Sequence, residues 1–193
     1  MEYFDILNFW FKKLSADDWF SNNEMLDLKI VEKFIVIHSK AISGELYFWR
    51  KQPLGRLAEI ILIDQFSRKI YRDDPKAFSS DGMALALAEE GIKENIQKNF
   101  DLGYKQFLYM PFMNSESRSI HEVAVDLFSE PGLEELLSYE LANKRIIDQF
   151  GRFPERNKIL GRISTPEEII YLNNTLISSP EKISRNEGVS VLS

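Results

Sequence analysis

The stretch LGRLAEIILIDQFSRK, residues 54–69, constrains the fold most. Its apolar residues continue a helical pattern from end to end, and its IILI run has no partner strand. It therefore reads as a strongly apolar helix and not as a short buried strand. No Asn-Gly type of hairpin signal occurs anywhere in the chain, and alternating strand patterns are absent. The expectation is an all-α protein of about seven or eight helices joined by short turns.

The same stretch has an echo. LAEIILIDQFSR at Leu57 to Arg68 aligns with LANKRIIDQFGR at Leu141 to Arg152, an offset of 84 residues, and the match extends from Arg72 to Arg156. Each copy is expected to be followed by a Pro-started helix, at Pro75 and Pro166. An offset of this size suits two related units of stacked antiparallel helix pairs, similar to tetratricopeptide repeats.

The remaining helices follow from spacing and punctuation. Tyr3, Leu7, Trp10 and Leu14 recur at helical intervals, and the polar run Ser15 to Asn23 ends that helix. Leu26 to Ser43 forms a second helix with Gly44 as its C-cap. Asp74-Pro75 is a helix start, with an Asp N-cap before Pro at the first helical position. Pro111 is expected to stop a helix, and Asn114 or Ser115 to cap the next one. Leu133 to Gln149 is a further helix, with Gly151 left-handed just beyond it. Thr165-Pro166-Glu167-Glu168 is a capping box that opens the last helix. Residues 1–177 are expected to form one helical domain, and 178–193 a loose tail.

Composition narrows the function. A net charge of -6 with both signs interspersed disfavours a general nucleic-acid or anionic-membrane surface, because both need a basic excess. With no cysteine, disulfides and thiolate chemistry are excluded. The first residues carry Glu2 and Asp5 where a signal peptide carries positive charge, so the chain is expected to be soluble and cytoplasmic. No nucleotide-binding glycine loop, H-E-x-x-H or G-x-S-x-G occurs, and the two histidines are far apart. No cofactor and no metal site is expected.

At the level of whole motifs a family resemblance emerges. LAEIILIDQFSRKIYRDDPKAFSSD, FLYMPFMNSES and IIDQFGRFPERNKILGRISTPEE resemble the three signature blocks of the bacterial "domain of unknown function 924" family. ILNFWF and ISGELYFWR fit it as well, so the likeness runs over roughly residues 4 to 175. The resemblance implies an all-helical, tetratricopeptide-like fold and no established activity. The family pattern usually has His where this chain has Asn114, Asn143 and Glu155. A recurrent histidine pair would suggest metal binding or proton transfer, and this chain lacks it.

Two polar constellations are candidates for a site. Arg68, Arg72, Arg152, Arg156 and Arg162 carry forked guanidinium groups suited to carboxylate or phosphate. If the two DQF-x-R helix ends meet, Arg68 and Arg152 would face a shared cavity. The competing reading is internal pairing of Asp64 with Arg68 and of Asp148 with Arg152, each four residues apart. Asn114, Ser115 and Glu116 form the second constellation, with Glu116 a candidate general acid or base or a partner for one of the arginines. Asn157 is expected to tie down the FGRFPERN turn, and Trp49, Tyr109 and Phe112 to pack in the core. These residues point to a binding or scaffold module whose arginine-lined groove holds an acidic peptide or a small anionic ligand. The alternative is an enzyme acting on a small phosphorylated or carboxylated substrate, with Glu116 in catalysis.

Overall fold

The structure is a computed structural model that describes residues 1–178, all-α, with no strand among the described residues. The chain opens with α1 (Tyr3–Asn8), which runs on into a π-helical turn, Phe9–Lys13. The polar break expected after it instead holds a short helix, α2 (Ala16–Phe20), because Ser15 and Asp18 form a reciprocal capping box. Then comes α3 (Glu24–Ile42), closed by Gly44 at φ 74°.

The apolar stretch forms one rod. It starts as α4 (Pro53–Ile61), with Pro in the first turn where no N–H is needed. It widens into a π-helical turn at Leu62–Phe66 and ends as α5 (Ser67–Ile70). Every residue from Gly55 to Ser67 is buried, as expected of a helix with no polar face to turn to water. Around it pack α1, α3, α6 (Asp81–Lys93) and α7 (Leu102–Met113). Trp10, Phe34, Phe66 and Phe107 fill the space between, with Trp10 5.3 Å from Phe66 and 5.4 Å from Phe107 between ring centroids. Trp49, Tyr109 and Phe112 belong to this core.

Because the rod is buried, its polar side chains need partners inside the protein. Glu59 accepts two hydrogen bonds from Arg50, at 2.8 and 2.7 Å. The Lys69 ammonium donates to the carbonyls of Asp18 and Ser21. His38 and Ser67 lie 2.8 Å apart, while the Ser67 hydroxyl donates to the Ile63 carbonyl.

A second layer continues from α7. Onto it packs α8 (Arg118–Phe128), and onto α8 packs α9 (Glu134–Phe150). Gly151 ends α9 at φ 72°, the left-handed conformation expected there. The 3-10 turn Pro154–Arg156 follows, and α10 (Pro166–Ser178) packs beside it. Thr165 and Glu168 close the expected capping box: the Thr165 N–H donates to Glu168 and the Glu168 N–H to the Thr165 hydroxyl. The tail expectation falls, from residue 179 on, outside the described residues.

Three local expectations are corrected. Pro111 does not stop its helix, because α7 continues to Met113 with Pro111, Phe112 and Met113 all buried. Neither Asn114 nor Ser115 caps α8; Ser117 stands at that position without a side-chain cap, and Asn114 turns to Asp64 instead. Asp74-Pro75 opens only a 3-10 turn, Pro75–Ala77, and α6 starts at Asp81.

Candidate functional site

Three segments converge beside the end of the buried rod. They are the turn and first residues of α6 (Pro75 to Leu85), the C-terminal turn of α7 with Asn114 to Glu116, and the loop that carries Arg156 and Leu160. Between them lies an open pocket of about 460 Å³. Its charged wall is Asp81, Glu116 and Arg156, and its apolar wall includes Phe78, Leu85, Pro111 and Leu160.

An ion-pair chain runs from the rod to this pocket. The Asp64 carboxylate is buried and receives the Asn114 amide at 2.9 and 3.1 Å, Gln65 Nε2 at 2.5 Å and Arg68 at 3.1 Å. Arg68 extends past it and donates both terminal nitrogens to Asp81, each at 3.0 Å. Burial opposes the Arg68 charge, but Asp64 and Asp81 outweigh it and hold this guanidinium firmly protonated. At Asp81 burial wins, and the neighbouring Asp64 charge adds to it. The Asp81 carboxyl titrates above the usual carboxylate range even though Arg68 and Arg156 pull it down.

Arg156 ends the chain. Its guanidinium lies 4.7 Å from the Phe78 ring centroid and 4.5 Å from that of Phe153. It donates to the Asn114 carbonyl at 3.0 Å and reaches Asp81 only at 3.4 Å. Burial and the nearby Arg68 charge both lower its pKa. Among the cluster's arginines it is therefore the one whose charge is least compensated.

Glu116 also lines the pocket. Arg162 donates to both its oxygens, at 2.6 and 3.0 Å, and the Phe153 N–H adds a third bond at 2.8 Å. Burial would raise its pKa, but these bonds reverse the effect and keep the carboxyl below its ordinary value. Arg162 also donates to the Phe153 carbonyl, so Glu116 and Arg162 together close the loop that holds Arg156. The edge of this wall is fixed from behind. His121 lies 2.8 Å from the Ser115 carbonyl and 2.6 Å from the Glu140 carboxylate, with both His121 and Glu140 buried.

The structure thus brings together Arg68, Arg156, Asn114, Ser115 and Glu116, with Arg162 behind them. It separates the rest. Arg72 pairs with Asp27 at 2.5 Å and with Asn22 at 2.7 Å, and does not line the pocket. Arg152 does not meet Arg68 and does not pair with Asp148. It donates to Glu168 at 2.6 and 2.8 Å, whereas Asp148 pairs with Lys144. The reason is burial: the Asp64 copy lies inside the rod, while the Asp148 copy lies on the exposed side of α9. Buried Asn157 ties down its turn through side chains, donating to Ser164 and Glu168. Among Asn114, Asn143 and Glu155, only Asn114 lines the pocket.

Sequence reasoning missed Asp81, Phe78 and the His121–Glu140 pair. Asp81 stands at the end of the AFSSD segment, and its membership of that block was the available signal; its pairing with Arg68, thirteen residues away, leaves no local pattern. Among the described residues no group of three or more His, Asp or Glu is placed to hold a metal ion.

The family model described as "Bacterial protein of unknown function (DUF924)" matches residues 6–175. The chain belongs to the DUF924 family. A solved structure of a protein of unknown function from Agrobacterium tumefaciens is similar throughout: 32% identity, TM-score 0.85, covering 89% of this chain and 97% of that one. No curated protein matches. Each of the pocket's three walls draws on one of the three motif segments singled out in the sequence, with Gly82 and Leu85 just beyond the first.

Proposed function

We propose that this DUF924 protein binds a small anionic ligand, a phosphate or carboxylate group, at Arg156. One observation carries the reading. Arg156 lies over two aromatic rings, Phe78 and Phe153, on the wall of an open pocket, its side chain 12% exposed and its nearest carboxylate at 3.4 Å. A guanidinium fixed in this way has lost rotamer freedom in advance, and an arriving anion supplies the compensation that its surroundings lack. Arg68 would serve as support, since its two terminal nitrogens are already committed to Asp81.

Phosphate, sugar phosphates and dicarboxylates would be screened by thermal shift against the wild type and Arg156→Met. A ligand at about 100 times its dissociation constant adds about 2.7 kcal/mol, or roughly 5–10 °C for a chain of this size. The shift is expected in the wild type and lost in Arg156→Met. No shift with any compound, or an equal shift in the variant, overturns the reading and turns attention to an acidic peptide.

The enzyme reading keeps one supporting observation, that Glu116 lines the same pocket as Arg156. Against it stands the Arg162 clamp, which occupies both Glu116 oxygens and makes the group a weak base. A Glu116→Gln variant that keeps its fold and loses turnover of a bound substrate, with binding intact, would restore it. The wider setting belongs to the same proposal: residues 1–177 as one helical domain stacked in the manner of tetratricopeptide repeats, working in the cytoplasm. No helix among the described residues is long and apolar enough to cross a membrane.

A further inference from the structure

A second cavity, of about 730 Å³, lies on the other side of the α7 C-terminal turn. Asn114 lines both cavities. The reason is helical geometry. Met110, Met113 and Asn114 are spaced three and four residues apart and share one face, whereas Pro111 and Ser115 turn to the first pocket. Asn114 is therefore the crest between two basins. It is held there by its amide on Asp64 and its carbonyl under Arg156.

The two basins differ in chemistry. The second is walled by Trp19, Phe20, Met110, Met113, Leu136 and Tyr139. Trp19 spends its only polar atom on the Trp10 carbonyl, at 2.9 Å, and offers its ring. Phe20 and Tyr139, on α2 and α9, are 60% and 57% exposed, although both have large apolar rings. The charged residues that line this basin, Asp17 and Glu135, are both negative; Lys69 and Arg72 bind the carbonyl of Ser21, at 2.9 and 3.5 Å, but do not line it.

We infer that the ligand is bipartite: a single anionic head at Arg156 and an uncharged apolar or aromatic tail that crosses Asn114 into the Trp19–Tyr139 basin. This rests on the anion-binding reading of Arg156 and deepens it. The tail carries no negative charge, because Asp17 and Glu135 repel a second anion. It is apolar because two methionines and three aromatic rings give it surface to cover, and methionine adapts to varied shapes.

The test measures binding of inorganic phosphate, hexyl phosphate and hexane-1,6-bisphosphate by calorimetry, in the wild type, Arg156→Met, and Phe20→Ala with Tyr139→Ala. The last pair changes exposed side chains and leaves the fold intact. Each methylene fully buried is worth roughly fourfold in affinity, so hexyl phosphate is expected to bind at least about tenfold tighter than phosphate. The bisphosphate should lose most of that gain, and so should the Phe20/Tyr139 double variant, with phosphate itself unaffected there. Equal affinity for phosphate and hexyl phosphate, or a gain that survives the double variant, overturns the bipartite ligand and leaves the Arg156 site standing. Absence of any Arg156-dependent binding overturns both.

Discussion

Glu116 and Arg162 form a two-pronged ion pair, 2.6 and 3.0 Å, that spans 46 residues and fastens the Arg156 loop to the end of α7. With the Phe153 N–H bound to the same carboxylate, Glu116 is a buckle. Glu116→Ala removes three charge-assisted bonds and leaves the Arg162 guanidinium with the Phe153 carbonyl alone, its Nε already buried without a partner. Charged hydrogen bonds of this kind contribute about 1.5–3 kcal/mol each at most, and not additively. The expected loss is roughly 2–3 kcal/mol in urea unfolding, with m unchanged. Glu116→Gln, which keeps the shape and two acceptor lone pairs, should cost about half. A Glu116→Ala variant as stable as the wild type would show that the loop is held by its apolar contacts alone.

Arg68 and Arg156 should behave differently although both touch Asp81. Arg68→Met leaves two carboxylates, Asp64 and Asp81, facing each other without their shared cation, Asp64 fully inside the protein. Removing one partner of a buried pair costs about 3–5 kcal/mol. Arg156→Met keeps the packing against Phe78 and Phe153 and gives up the bond to the Asn114 carbonyl and the long 3.4 Å contact with Asp81, so the cost should be about 1–2 kcal/mol. Chemical denaturation of the two variants checks the contrast. Equal losses would mean that Arg156 is structural and not held in reserve for a ligand.

What could be read from the sequence follows the range of each interaction. The helix over residues 54–69 was legible because its signal is a repeat along the chain itself. So were Gly151 and the Thr165–Glu168 box, whose signals lie within four residues. The site was legible only in part. Arg68, Asn114 and Arg156 are named by their chemistry, but the group that joins Arg68 to Arg156 is Asp81, which no local spacing links to either. The echo between residues 57–68 and 141–152 misled for a related reason. Identical letters carry no burial, and Asp148, unlike Asp64, faces water beside Lys144. Arg152 therefore went to Glu168, a partner that only the folded chain supplies.

Gly55 gives a prediction about packing that is independent of the site. A Cβ placed there would meet the Trp49 carbonyl oxygen at 2.3 Å, backbone against backbone, where nothing flexible can yield. Gly55→Ala should therefore destabilise the protein by about 1–3 kcal/mol or more through overpacking, although alanine is the better helix former. Thermal unfolding measures this. A neutral or stabilising result would mean that the 47–51 turn moves freely against α4.

Acid stability should show two successive losses with different owners. The Ser67 hydroxyl gives its proton to the Ile63 carbonyl, so it accepts from His38 Nε2, and Nδ1 is left buried without a partner. Burial pushes the His38 pKa from 6.5 down to about 4. Between these values the unfolded chain binds a proton that the folded chain refuses, so stability falls as pH drops from 6.5 to about 4, with a slope of up to about 1.4 kcal/mol per pH unit. Glu168 has the opposite cause and a lower window. The Arg152 bond, with help from the Thr165 N–H, holds its pKa at about 2 instead of 4.5 against the opposing effect of burial. Its contribution is complete above 4.5 and disappears as pH falls toward 2. Unfolding free energy measured from pH 7 to pH 2 should lose its upper slope in His38→Gln and its lower slope in Glu168→Gln, each variant leaving the other window unchanged. A His38→Gln profile that still falls between 6.5 and 4 would assign that window to other groups.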